Sequence, residues 1–251
     1  MKFNEKHWSG TYFYNKFPRF KCPNCKEGRL LLTEDALSVC MPEYSAKASK
    51  WEEWEYEWTV ERFSAKLLCD DSECGEVVFV TGDTVTELDY DQESKGLLYR
   101  SFLRPKYFFP APPIIDIPDE VPHEVKEEIG LATELFWADF SSSANRVRVS
   151  VEKLLDHFKV IKTKKDKKGK SYRLDLNERI AIFKVDHKDH ASTLTALRMI
   201  GNLGSHGSSV SRNALLDAFR IYEDSLNELF GTHKAVIDKL REKLIDTKGE
   251  Y

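Results

Sequence analysis

Cys22-Pro-Asn-Cys25 and, farther along, Cys69-Asp-Asp-Ser-Glu-Cys74-Gly75 decide how the first half of the chain is read. Two thiolates separated by two residues converge on one ion, because the tight turn between them points both sulfurs inward, and zinc takes four such ligands. The second pair is looser, with four intervening residues, and the 43 residues between the pairs must leave and return, as a β hairpin does. Cys22, Cys25, Cys69 and Cys74 are therefore expected to hold one Zn2+. A closed four-thiolate site leaves no position for water, so the ion's role is structural, and binding worth on the order of 10 to 16 kcal/mol could hold a small β domain together. The competing reading is that these are reduced, buried cysteines. Cys40 is left over and reads as a small core residue.

Outward from the cysteines, Leu30 to Thr33, Glu55 to Leu68 and Glu76 to Thr81 are rich in aromatic and β-branched residues and read as strands. In WEEWEYEW, residues 51–58, four carboxylates interleave with Trp51, Trp54, Tyr56 and Trp58. Such rings can stack on bases, but these carboxylates repel phosphate, so packing against the sheet or a partner protein is expected. The stretch from Arg104 to Pro122 carries Pro105, Pro110, Pro112, Pro113, Pro118 and Pro122, which withhold backbone donors and mark a linker. The organisation expected is α+β: a mainly β zinc domain over residues 1–104, a proline-rich linker over 105–121, and an all-α bundle over 122–251.

Beyond Pro122 the apolar period becomes helical. Val125, Ile129, Ala132, Leu135 and Phe136 share one face, and Val147, Val151, Leu154, Leu155 and Phe158 share another. Further helices are expected through Leu176, Ile180 and Phe183, through Leu194 and Leu197, and from Leu215 to Leu229, stopping at Gly231. Thr232 is the expected N-cap of a last helix through Val236 and Leu240.

Residues 1–121 hold 15 Lys and Arg against 22 Asp and Glu, a net −7, whereas residues 122–251 hold 23 against 20, a net +3. No apolar run approaches the roughly 20 residues a bilayer span needs, and Met1 to Asn15 lacks the apolar core of a secretory signal. A cytoplasmic protein that does not enter membranes is expected, in a compartment that keeps thiols reduced.

NRVRVSVEKLL, from Asn145 to Leu155, read together with Arg198-Met-Ile-Gly-Asn-Leu-Gly-Ser-His206-Gly207, resembles domain-of-unknown-function family 4145 over roughly Pro122 to Phe230. That family is one of the HEPN-like helical bundles, occurs in bacterial proteins including restriction-enzyme subunits, and often follows a cysteine-paired zinc element. Many HEPN proteins are metal-independent ribonucleases that dimerise so that an Arg and a His of each chain face one phosphodiester. The family signature is Arg-Asn, three residues, then His. Asn202 and His206 match it, and Gly201 stands where the Arg would be. Arg198 is the nearest cation, about 12 Å along a continuous helix from His206, and the resemblance implies that Arg148 shares the groove with His206. From the residues themselves, the glycines of GNLGSHG read first as a close approach of two helices, with His206 hydrogen-bonded in a helix-terminal turn, and Arg148 with Glu152 as a surface ion pair. His157, His187 and His190 have no ligand-like companions.

In the run from Lys162 to Arg173, Lys164, Lys165, Lys167, Lys168 and Lys170 surround Gly169. Such a loop can neutralise phosphates without reading sequence, or be a solvated turn. Two functions follow from the resemblance. One is a non-enzymatic binding and oligomerisation protein, homodimeric through its helices, acting with partner proteins in bacterial defence against phage or mobile elements. The other is an RNA-cleaving enzyme or toxin with His206 as acid–base and Arg198 or Arg148 as phosphate clamp. Gly201 favours the first.

Overall fold

A computed structural model of the 251-residue chain describes residues 5–91, 95–205, 209–231 and 233–249. The chain divides into two compact units: Met1–Pro113 with Thr133–Ala138, and Ile114–Ala132 with Asp139–Tyr251.

The first unit is built on one antiparallel meander. Strand β1 (Leu30–Cys40) is followed by a short helix, α1 (Glu43–Ala48), then by β2 (Arg62–Cys69), β3 (Val77–Asp91) and β4 (Gly96–Phe109), which lie side by side in chain order. The strand expected from Glu55 begins at Arg62. The tryptophan-rich stretch before it forms a single 3-10 turn, Tyr56–Trp58, closed by the Thr59 amide on the Tyr56 carbonyl. The third and fourth strands run well beyond the expected Thr81, and β4 takes in Pro105 from the proline-rich segment. Pro105 lies opposite Gly82, where the ladder slips register beside Thr81. A proline is tolerated at such a bulge because the ladder there is already missing a donor.

Alternation along the strands sets the two faces. Phe63, Ala65 and Leu67 of β2, Val78 and Val80 of β3 and Phe108 of β4 are buried. Over them sits an aromatic cluster in which Trp137 packs 4.5 Å from Phe108, 5.6 Å from Phe20 and 5.5 Å from Trp8, and Phe136 meets Trp8 edge-on at 5.7 Å. Tilted and edge-to-face rings of this kind each add about 0.5–1.5 kcal/mol beyond their burial. Phe136 and Trp137 follow the proline-rich segment in sequence, yet they complete the core of the first unit.

The second unit is helical. It contains most of α2 (His123–Leu135), then α3 (Phe140–His157), a small hairpin of β5 (Thr163–Lys165) and β6 (Ser171–Arg173), α4 (Leu176–Phe183), α5 (Ala191–Ser205), α6 (Arg212–Phe230) and α7 (His233–Asp246). The helix starts are set by local chemistry. Asp139 accepts from the Ser141 amide, Asp175 and Glu178 form a reciprocal capping box, and Ser211 accepts from the Ala214 amide. The apolar residues that announced the period are the buried ones: Val147, Val151, Leu154 and Leu155 on α3, Leu194 and Leu197 on α5, and Leu215, Phe219, Tyr222 and Leu226 on α6. Buried Arg179 of α4 is neutralised by Asp156 of α3 at 2.7 Å. Thr232, the expected cap of α7, lies outside the described residues. No described helix is long and apolar enough to cross a membrane.

Candidate metal centre

Two turns at the same end of the β1–β2 pair, one leading into β1 and one following β2, build the cysteine site. The first begins with an antiparallel bridge between Lys21 and Arg29. Inside it Cys22 donates its amide to the Gly28 carbonyl at 2.9 Å, Lys26 donates to the Cys22 carbonyl at 3.2 Å, and the Gly28 amide points at Cys25 Sγ at 3.3 Å. Pro23 suits the start of such a turn because its φ is already fixed. The second turn is organised by Asp71, whose carbonyl accepts from Cys74 and Gly75 and whose side chain accepts from the Glu73 amide at 3.0 Å. Strand register joins the two. Leu30 pairs with Cys69, Asp70 donates its amide to the Arg29 carbonyl at 2.9 Å, and the Arg29 amide returns to Asp70 Oδ1 at 2.6 Å. The long excursion between the pairs is thus the rest of β1, α1 and β2, paired back on itself.

Four sulfurs, those of Cys22, Cys25, Cys69 and Cys74, thereby lie within 4.8 Å of one another. Cys22 and Cys74 are 3.7 Å apart and Cys25 and Cys69 3.8 Å. A tetrahedral ion with metal–sulfur bonds of about 2.3 Å separates its ligands by about 3.8 Å, whereas a disulfide needs about 2.05 Å. The set therefore fits a metal ion and does not fit two disulfides. Its electrostatics agree. Burial pushes the Cys69 thiol up to about 12 and raises Cys22 as well, whereas the backbone amide of Glu76 leads in bringing Cys74 down to about 7. A cation beside Cys22 and Cys69 would offset the burial that holds their protons on, by supplying the compensating charge.

Sequence reasoning missed Gly28. A Cβ there would overlap Cys69 Sγ and stand 3.1 Å from Asp70 Oδ1, so the first turn closes on the second only through a residue without a side chain. The one signal was its position, three residues after Cys25. Cys40 is exposed at the end of β1 with Ser38 Oγ 3.8 Å away, and is not the core residue expected.

The helical candidates do not assemble into a comparable site among the described residues. Gly201 is buried where α5 crosses α3: a Cβ would overlap Arg148 Cβ and lie 3.0 Å from the Ala144 carbonyl oxygen, and Gly204 meets Ser141 in the same way. Arg148 forms the expected pair with Glu152 at 3.1 Å. Arg198 is half-buried on α5 with its Nε buried and without a hydrogen-bond partner among the described residues, Asn202 is half-buried, and His206 lies outside the described residues. His187 stacks on Phe183 at 4.4 Å, His190 Nδ1 is 3.1 Å from Ser225 Oγ, and His157 packs beside Phe230.

Lys164, Lys165, Lys167, Lys168 and Lys170 are all exposed, on a hairpin whose turn is ordered by Asp166, which accepts from the Lys168 and Lys170 amides at 2.8 and 2.9 Å. In the tryptophan-rich stretch, Tyr56 stacks on Tyr99 at 4.9 Å, while Trp51 and Trp58 are exposed.

Residues 131–247 match the family described as a domain of unknown function (DUF4145), and residues 11–108 match another so described (DUF8608). No curated protein and no solved structure matches the chain.

Proposed function

We propose that this is a bacterial binding and oligomerisation protein whose front unit is ordered by a structural zinc ion and whose HEPN-like helical unit carries a degenerate ribonuclease motif. Gly201 is the observation that carries the reading. The position at which the motif needs an arginine is pressed against Arg148 and the α3 backbone, leaving no room for a side chain. Of the two candidate clamps, Arg148 is engaged by Glu152, and Arg198 stands almost one helical turn before the motif's arginine position. Without an arginine to stabilise charge developing on the phosphate, His206 alone makes a poor nuclease. The helices then serve for homodimerisation and for holding partners in defence against phage or mobile elements. Zinc is assigned to the four thiolates because sulfur-only tetrahedral sites suit it; it would fix the two turns and take no part in chemistry.

The test is to incubate purified wild type and His206→Ala with total RNA and transfer RNA without added divalent metal. Neither should cut. Wild-type cleavage that disappears in His206→Ala would overturn the proposal and establish the ribonuclease instead.

A further inference from the structure

The face of the sheet opposite the aromatic core carries three large exposed rings. Phe79 of β3 is 57% exposed, and Tyr107 and Phe109 of β4 are 63% and 73% exposed. Register places Lys66 of β2 opposite Phe79, and Phe79 opposite Phe109; Tyr107 lies two residues farther along, beside Thr81. Two rows on, Arg62, Asp83 and Arg104 stand opposite one another on the same three strands. The third strand has a partner on each side, so Phe79 lies within the sheet, and Tyr107 and Phe109 stand beside it on β4, the last strand in the order. None of the three is in ring contact with another aromatic among the described residues. A clustered apolar exposure of this kind on a folded surface marks a binding site.

Charge narrows what binds. Arg104 satisfies both oxygens of Asp83, at 2.6 and 2.8 Å. Arg62, Lys66 and Lys106 have no carboxylate within ion-pair distance among the described residues. Burial acts to raise the Asp83 carboxyl, yet Arg104, Lys106 and Arg62 hold it below its ordinary value. The local field is therefore positive, although residues 1–121 carry a net −7. Salt confines such fields to about 8–10 Å, so the distant carboxylates matter less than these neighbours. An apolar protein partner would use the rings and gain nothing from the cations. A chain of flat bases joined by phosphates uses both.

We infer that this face binds single-stranded nucleic acid, with bases stacked on Phe79, Tyr107 and Phe109 and phosphates neutralised by Arg62, Lys66 and Lys106. Tyr107 and Phe109 are about 7 Å apart along the strand, so neighbouring bases can occupy neighbouring rings. Stacking is tolerant of sequence because every base has a π-face. The inference rests on reading the chain as a binding protein, and it places the ligand on the sheet, apart from the lysine hairpin.

The experiment is fluorescence anisotropy of the full-length, metal-loaded protein with labelled oligouridine and oligodeoxythymidine of about 12 nucleotides. Phe79→Ala with Phe109→Ala should weaken binding about thirtyfold or more. Lys66→Gln with Lys106→Gln should flatten the slope of log affinity against log salt by about 1.4. Metal content and melting temperature, unchanged in both variants, report that the fold is intact; if the ring variant fails to fold, the surface lysine pair still decides. Binding that survives both substitutions, or that is lost instead on replacing Lys164, Lys165, Lys167 and Lys168, overturns the inference. So does a wild type that binds neither oligonucleotide, and so does a light-scattering mass that falls to the monomer when the rings are removed, which would make the face an interface between copies. Preference between the two oligonucleotides distinguishes RNA from DNA. Cleavage is read separately: an oligonucleotide that binds the sheet but is cut through His206 leaves this inference standing and removes the non-catalytic reading.

Discussion

Cysteine spacing is a local code, and it was legible because two turns of the right length bring four sulfurs together wherever the intervening chain goes. What the spacing could not carry is Gly28, whose constraint comes from a sulfur 41 residues away in sequence. Gly28→Ala should displace Cys69 Sγ and spoil the tetrahedron, costing metal affinity about 10- to 100-fold, as for other groups that orient ligands. Competition against a chromogenic chelator measures this, and an unaltered affinity would mean that the two turns yield without loss. The affinity of the wild type should also fall as pH falls. Cys69 and Cys22 hold their protons more tightly than ordinary thiols, and each must give one up to bind.

Among elements, the helices were readable and the strands less so. A period of 3.6 spread over α3 and α6 names its own buried face, whereas β3 and β4 continue past the core as a pair whose residues alternate without an apolar side. Leu88, Tyr90 and Leu97 are exposed there, so no inward pattern marks the strand. Pro105 misled for a related reason: its missing donor is tolerated at a bulge that only the pairing with Gly82 reveals. The crossing of α3 and α5 lends itself to a direct trial. Gly201→Arg, which supplies the arginine of the proposed motif, should create no nuclease and should destabilise the helical unit by about 2–3 kcal/mol, the cost of forcing bulk into a packed interface. Denaturant unfolding followed by far-ultraviolet circular dichroism measures the loss. An arginine variant of native stability that cuts RNA would mean that the helices part easily, and that the motif was one substitution from activity.

For the whole molecule, composition and the change of period foretold a strand-rich half followed by a helical one, but not where the first core ends. Trp137 is buried against Phe108, Phe20 and Trp8 although it comes after all nine prolines. Trp137→Ala should therefore cost about 3–5 kcal/mol, and the loss should appear in the β-rich unit. Melting followed through the near-ultraviolet aromatic signal would locate it; a loss confined to the helical signal would contradict the assignment. The placement of these rings also bears on how the protein is made. A ribosome delivers Trp137 about one to five seconds after Pro113, and until then the nascent sheet has its cysteines in hand but lacks the rings that seal it. Cysteine capture of an ion can precede that moment, holding the half-finished front open for its last tryptophan.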